Sequence, residues 1–128
     1  MIVVDTSALM ALVLDEPEAA RVARALETDD PILISAATLT ETLIVARRRD
    51  RSEAMKTLID GLALDVAPAT KAVAYAVADA YDRWGKGVHP AGLNFGDCFA
   101  YALAKENDAP LLFVGGDFAA TDVSPALA

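Results

Sequence analysis

The sequence predicts an α/β fold, with a central parallel sheet of four to five strands flanked by helices in three layers. Apolar runs at Ile2-Val3-Val4, Ile32-Leu33-Ile34 and residues 111–114 lack polar alternation, the pattern of strands buried on both faces. Segments with helical spacing separate these runs, so strand and helix alternate as in a parallel sheet. The first run also passes straight into Asp5-Thr6-Ser7, which puts an acid and two hydroxyls at a strand's carboxyl end. Ligands bind at that edge in open α/β sheets.

Taken in order, the first strand is followed by a short helix over 8–14, with Ser7 available as its cap and Asp15-Glu16-Pro17 as its stop. Residues 18–27 form an amphipathic helix with Ala19, Val22, Ala23 and Leu26 on one face. Thr28-Asp29-Asp30-Pro31 turns the chain into the second strand, which ends at Ser35. A helix over 37–49 turns Leu39, Leu43, Ile44 and Ala46 inward, and Arg47-Arg48-Arg49-Asp50-Arg51 closes it, where positive charge suits a helix C-terminus. Ser52 caps a helix over 53–60 that stops at Gly61, and residues 62–66 form a third strand. An alanine-rich helix over 70–83 leads to the longest irregular stretch, 84–92. Phe95–Glu106 is the last helix, residues 111–114 the fourth strand, and Val123 a short fifth.

The 128 residues, 1–128, read as a single domain without repeats or linkers, long enough to bury roughly two-thirds of the unfolded chain's surface. Hydrophobic residues reach 55%, a surplus that implies thickly covered sheet faces and an apolar surface for a partner. A single cysteine, Cys98, leaves no internal disulfide and fits a reducing compartment. With His89 as the only histidine, no structural zinc site is available. No basic stretch precedes the apolar residues of the N-terminus, and that stretch meets Asp15-Glu16 too early to span a bilayer. A soluble cytoplasmic protein is expected. The net charge of −8 argues against nonspecific nucleic-acid binding through the overall field. It is compatible with a nuclease whose carboxylates hold divalent cations.

Four acids stand out: Asp5, Glu41, Asp97 and Asp117. Each has a local structural explanation. Asp5 can cap the helix after the first strand, and Thr38-Leu39-Thr40-Glu41 has the form of a capping box. Asn94-Phe95-Gly96-Asp97 repeats that form, and Asp117 can cap a turn at residues 118–121. Together they say more. All four are read at helix starts, which in a parallel sheet face one crevice. Carboxylates meeting there repel unless a cation joins them, and an oxygen-only set suits Mg²⁺ or Mn²⁺. Such an ion activates water against a phosphodiester. No Ser-His or Cys-His pair offers another nucleophile. Thr6 and Ser7 are candidates to hold a metal water or a phosphate, and Asn94 to orient a ligand or cap its helix.

These residues resemble a known family. Ile2-Val3-Val4-Asp5-Thr6-Ser7-Ala8, Glu41, Leu93-Asn94-Phe95-Gly96-Asp97-Cys98 and Leu111-Leu112-Phe113-Val114-Gly115-Gly116-Asp117-Phe118, with Thr121-Asp122-Val123, follow the order of the PIN-domain ribonucleases. The resemblance is strongest to the VapC toxins of bacterial toxin–antitoxin pairs and covers essentially the whole chain. It implies a PIN-like (Rossmann-like) fold and Mg²⁺- or Mn²⁺-dependent endonucleolytic cleavage of a structured RNA such as tRNA or an rRNA loop. It also implies a homodimer and inhibition by a cognate VapB-type antitoxin whose tail enters the active site. By position Asp5 and Asp97 match the strongest metal ligands, Glu41 the third acid and Asp117 the fourth. Gly116 departs from the pattern, since many relatives carry an acid or Asn there.

Arg47, Arg48, Arg49 and Arg51 form the one dense basic run, a solvated helix end or an RNA phosphate contact. Lys86 is a further candidate phosphate contact, and Tyr81, Trp84 and His89 flank the irregular stretch where unpaired bases stack on aromatic rings. Cys98 points into the core and carries no chemistry. Other functions fit less well. A haloacid-dehalogenase-type phosphotransferase wants a second acid where Ser7 stands, and a phospho-receiver wants its acid after the third strand, whereas Asp65 lies within it. A PIN-like RNA- or protein-binding module without catalysis remains the alternative, and divalent-dependent RNA cleavage separates the two.

Overall fold

The computed structural model describes residues 1–127. Its elements are β1 (Ile2–Val4), α1 (Thr6–Val13), α2 (Ala19–Ala25), β2 (Ile32–Ser35), α3 (Ala36–Arg48), α4 (Ser52–Leu62), β3 (Asp65–Ala67), α5 (Lys71–Trp84), α6 (Phe95–Glu106) and β4 (Leu111–Leu112). The four strands lie in the order β3-β2-β1-β4, and every pairing is parallel.

β1 is central because both its neighbours satisfy its backbone. Ile2 N–H donates to Pro31 O, Val3 N–H to Pro110 O and Asp5 N–H to Leu112 O. Successive side chains of a strand leave on opposite faces, and this splits the core in two. Val3 joins Leu33 and Leu111 against α5 and α6, while Ile2, Val4, Ile32, Ile34 and Leu112 pack with residues of α1 to α4. Burial on both faces accounts for the unbroken apolar runs.

Several boundaries differ from the sequence reading, each for a visible reason. α4 continues through Gly61 to Leu62, since Leu58, Ile59 and Leu62 pack on the core beneath them. The break falls at Ala63, in the left-handed region at φ 51°, so β3 starts only at Asp65. Ser52 is the first residue of α4 rather than its cap; Arg51 precedes it and makes no side-chain capping bond. The expected fifth strand at Val123 is not formed. Leu111 instead makes an isolated bridge with Pro125, and Val123 is buried in the core without strand pairing.

The inward face of α3 also differs. Its buried residues are Thr38, Thr42 and Ala46, one stripe at four-residue spacing, and Ile44 is exposed. Of the residues expected inward, Ala46 is buried and Leu39 packs on the core; the departure is at Ile44, while Thr38 and Thr42 take fully buried positions. Among the described residues, no helix is long and apolar enough to cross a membrane.

Candidate active site

The carboxyl end of β1 presents Asp5, and its side chain caps the helix that follows. Asp5 Oδ2 accepts from Ser7 N–H at 3.1 Å and from Ser7 Oγ–H at 2.7 Å. Of the two cap candidates, Asp5 is the cap and Ser7 supports it. Ser7 Oγ also accepts from Val114 N–H at 3.0 Å, tying the end of β4 to the end of β1. The other carboxylate oxygen, Asp5 Oδ1, is buried without a hydrogen-bond partner. Burial raises the Asp5 pKa, the Ser7 bonds oppose the rise, and the charge of Glu41 adds to it.

Asp97 comes from the first turn of α6. The expected capping box forms: Asp97 N–H donates to Asn94 Oδ1 at 2.8 Å, and Asn94 N–H donates to Asp97 Oδ2 at 3.1 Å. Burial pushes the Asp97 carboxyl up to about 6 against the Asn94 amide. The charges of Asp5, Asp117 and Glu41 push it the same way. These couplings identify the acids that face it.

Glu41 reaches the site by another route. The capping box expected at Thr38-Leu39-Thr40-Glu41 does not form, because Ser35 ends β2 and caps α3 itself, accepting from Ala37 N–H at 3.2 Å. Glu41 therefore leaves the second turn of α3 instead of its start. Two contacts orient it: Thr6 Oγ donates to Glu41 Oε1 at 2.9 Å, and the other carboxylate oxygen lies against Gly96. The residue after Asp5 and the residue before Asp97 thus hold the third acid between them. Thr6, expected to face a ligand, spends its proton on Glu41.

Asp117 lies in the turns after β4, exposed, with no capping bond at residues 118–121. Gly115 opens that turn at φ 97°, a conformation that favours glycine. The four acids share one edge, though two of them do not sit at helix starts as the sequence reading held. Among the described residues, no three His, Cys, Asp or Glu side chains are drawn close enough to form a ready cation site. Like charges at one crevice repel. The donor set nonetheless fits a hard divalent ion: it is all oxygen, and Asp5 Oδ1 is a buried carboxylate oxygen lacking any partner.

The PIN domain family model matches residues 2–124. The chain is 43% identical over 125 residues to VapC ribonuclease Mb0640 of Mycobacterium bovis, covering 95% of each. The chain belongs to the PIN-domain family of VapC ribonucleases. In fold it is similar to the Mycobacterium tuberculosis toxin VapC20, described as cleaving the sarcin–ricin loop (TM-score 0.75, 21% identity, 98% of this chain and 100% of that one). It is also similar to a chain of a toxin–antitoxin complex from Klebsiella pneumoniae (TM-score 0.74, 17% identity, 98% of each chain).

In this VapC-family chain the remaining sequence-predicted residues divide by position. Asn94 is at the site as a cap. Lys86 N–H donates to Leu93 O, so the loop closes and sets Lys86 beside the start of α6. The arginines are elsewhere. α3 begins at the acid edge, and seven residues of helix carry Arg48 about 10 Å further along its axis than Glu41. Arg51 Nη1 donates to the Arg49 and Asp50 carbonyls there.

Trp84 and Tyr101 are buried structure. Trp84 Nε1–H donates to the Tyr101 hydroxyl at 2.8 Å, which donates to Asp122 Oδ1 at 2.6 Å. Lys105 lies 3.4 Å and Arg83 3.7 Å from Asp122 Oδ2, and the Tyr101 bond and these cations hold the Asp122 carboxyl below its usual range. This network fastens the segment after Asp117 to α5 and α6. Cys98 is buried, and burial pushes its thiol up to about 11, so it is inert. The sequence reading missed Gly96 and Thr42. The only signal for Gly96 was a glycine inside a helix start, a costly choice where packing does not require it.

Proposed function

We propose that this chain is a metal-dependent endoribonuclease toxin that cleaves structured cellular RNA, a tRNA or an rRNA loop, in the bacterial cytoplasm. A cognate VapB-type antitoxin neutralises it. The observation that carries the reading is the buried, unpartnered Asp5 Oδ1 at the carboxyl edge of the sheet, with Asp97 close enough to feel the charges of Asp5, Glu41 and Asp117. The near-full-length identity to VapC ribonucleases supports it.

Asp5, Asp97 and Glu41, with Asp117, would hold Mg²⁺ or Mn²⁺. Bound there, the ion supplies an activated water and neutralises charge on the cleaved phosphodiester. The chain's own residues supply order. Ser7 fixes one oxygen of Asp5 and leaves the other for a ligand. Asn94 does the same for Asp97, and Thr6 fixes one oxygen of Glu41. Orientation set in advance is what lets charged groups act without reorganising. Lys86, whose backbone is held beside the start of α6, is the residue assigned to RNA phosphate, and the run from Arg47 to Arg51 is assigned to flanking RNA.

The homodimer is assigned to the face of α3, α5 and α6, where Ile44, Tyr81 and Phe95 are 47%, 38% and 72% exposed. Phe95 lines two adjoining apolar clefts there. Patches of this kind mark association surfaces.

The test is incubation of purified protein with total cellular RNA in Mg²⁺, in Mn²⁺ and in chelator. Discrete fragments that require the ion support the proposal. RNA left intact in every condition, including a structured tRNA and rRNA panel, would favour the binding module.

A further inference from the structure

The inward stripe of α3 poses a problem that packing does not answer. Thr42 is fully buried, Thr38 nearly so, and the Thr38 hydroxyl has no partner. A buried hydroxyl costs free energy unless it is hydrogen-bonded, and threonine in a helix interior is a poorer choice than alanine or leucine. Apolar side chains would fill the same space.

The hydroxyl of Thr42 has a use. Its Oγ lies 2.9 Å from Thr6 Oγ and 2.9 Å from the Thr38 carbonyl. Each hydroxyl has one proton to give and lone pairs to receive. Thr6 also faces Glu41 Oε1 at 2.9 Å and the Thr38 carbonyl at 3.3 Å. The carboxylate is the strongest acceptor in reach, so the Thr6 proton goes to Glu41. Thr6 is then an acceptor towards Thr42, whose proton is shared between Thr6 and the Thr38 carbonyl. A donor behind a donor strengthens the bond in front of it and restricts the rotation of the intervening hydroxyl.

We propose that Thr42 is a positioning residue for Glu41, acting through Thr6 in a chain of hydroxyls that runs from the core of α3 to the acid crevice. The proposal rests on Glu41 belonging to the divalent-ion site and goes beyond it by giving a buried, remote hydroxyl a part in the reaction. Thr42 touches no substrate. Its effect is to fix which way the Thr6 proton points and hence where Glu41 Oε1 sits.

The test compares Thr42→Val, which removes the hydroxyl at nearly constant volume, with Thr42→Ser, which restores it. Thr42→Ala makes the same removal without added bulk and answers if the valine variant does not fold. Thermal melting, RNA cleavage and Mn²⁺ binding by calorimetry are measured on each, beside Glu41→Gln. We expect Thr42→Val to lower kcat by on the order of ten-fold at unchanged KM. Its Mn²⁺ affinity should fall roughly several-fold, and Thr42→Ser should recover both. Thr6→Val should have a similar effect, and the double variant should be little worse than either, as for residues in one chain of bonds. If Thr42→Val melts lower while its kcat and Mn²⁺ affinity match the wild type, the role is structural and the proposal fails. If Glu41→Gln itself leaves cleavage and Mn²⁺ binding intact, the failure lies with the assignment of Glu41 to the site.

Discussion

The Glu41 carboxylate fills the space that a side chain at Gly96 would need: a Cβ built on Gly96 would lie 2.5 Å from Glu41 Oε2. The glycine in the first turn of α6 is therefore what allows the third acid to reach the residue beside Asp97. Gly96→Ala should separate stability from function. Alanine is favoured over glycine in a helix by about 1 kcal/mol, and the displaced atoms are the end of a flexible side chain. The melting temperature should hold or rise while cleavage falls, on the order of ten-fold or more. Full activity in a folded Gly96→Ala protein would show that Glu41 need not sit where it does.

The Asp97 carboxyl, pushed up to about 6 from its ordinary 3.8, makes the site a source of instability at neutral pH. Between those two values the folded chain keeps a proton that the unfolded chain has released. Stability contributed by this group therefore falls as pH rises from about 4 to about 6, and the loss is complete above that. The rise at Asp5 acts in the same direction. In chelator, Asp97→Asn should melt higher than the wild type at about pH 7 and lose less stability across that window. Mg²⁺ or Mn²⁺ should raise the wild-type melting temperature by binding the folded form, and raise the variant's far less. Parallel wild-type and variant profiles with and without ion would contradict this.

Ser7 is the clasp between β1 and β4. Ser7→Ala removes the donor to Asp5 Oδ2 and the acceptor for Val114 N–H together. A polar group left unpaired costs about 1–3 kcal/mol. Chemical denaturation should show a loss in that range, with cleavage reduced because Asp5 loses one of its two Ser7 bonds. A variant as stable as the wild type would mean that water replaces the hydroxyl at both partners.

What could be read from the sequence was what depends on neighbours in the chain. Ile2–Val4 and Ile32-Leu33-Ile34 carry their burial in composition, and the Asn94–Asp97 box needs only its own four residues. Long-range choices were illegible. Thr38-Leu39-Thr40-Glu41 has the same local form as the box that did form, yet Ser35 is a cap available three residues earlier. Thr42, turned inward, meets Thr6, 36 residues away in the chain. α4 passes Gly61 because Leu62 has a core to enter, which no local propensity records. At the site, the identities of the acids were legible and their supports were not. Ser7, Thr6 and Gly96 act through contacts with residues 114, 41 and 41, all distant in sequence.

If the acids at the carboxyl edge of the sheet make this chain a metal-dependent ribonuclease, Asp97→Asn should abolish cleavage in a protein that still folds. The substitution keeps the shape of the side chain and an oxygen able to accept from Asn94 N–H, so the cap and the fold should survive. Wild type and variant are compared on the same RNA in Mn²⁺, with circular dichroism confirming that both are folded. Discrete fragments are expected from the wild type and intact RNA from the variant. Equal cleavage by a folded Asp97→Asn protein would contradict a metal-dependent reaction carried by these acids.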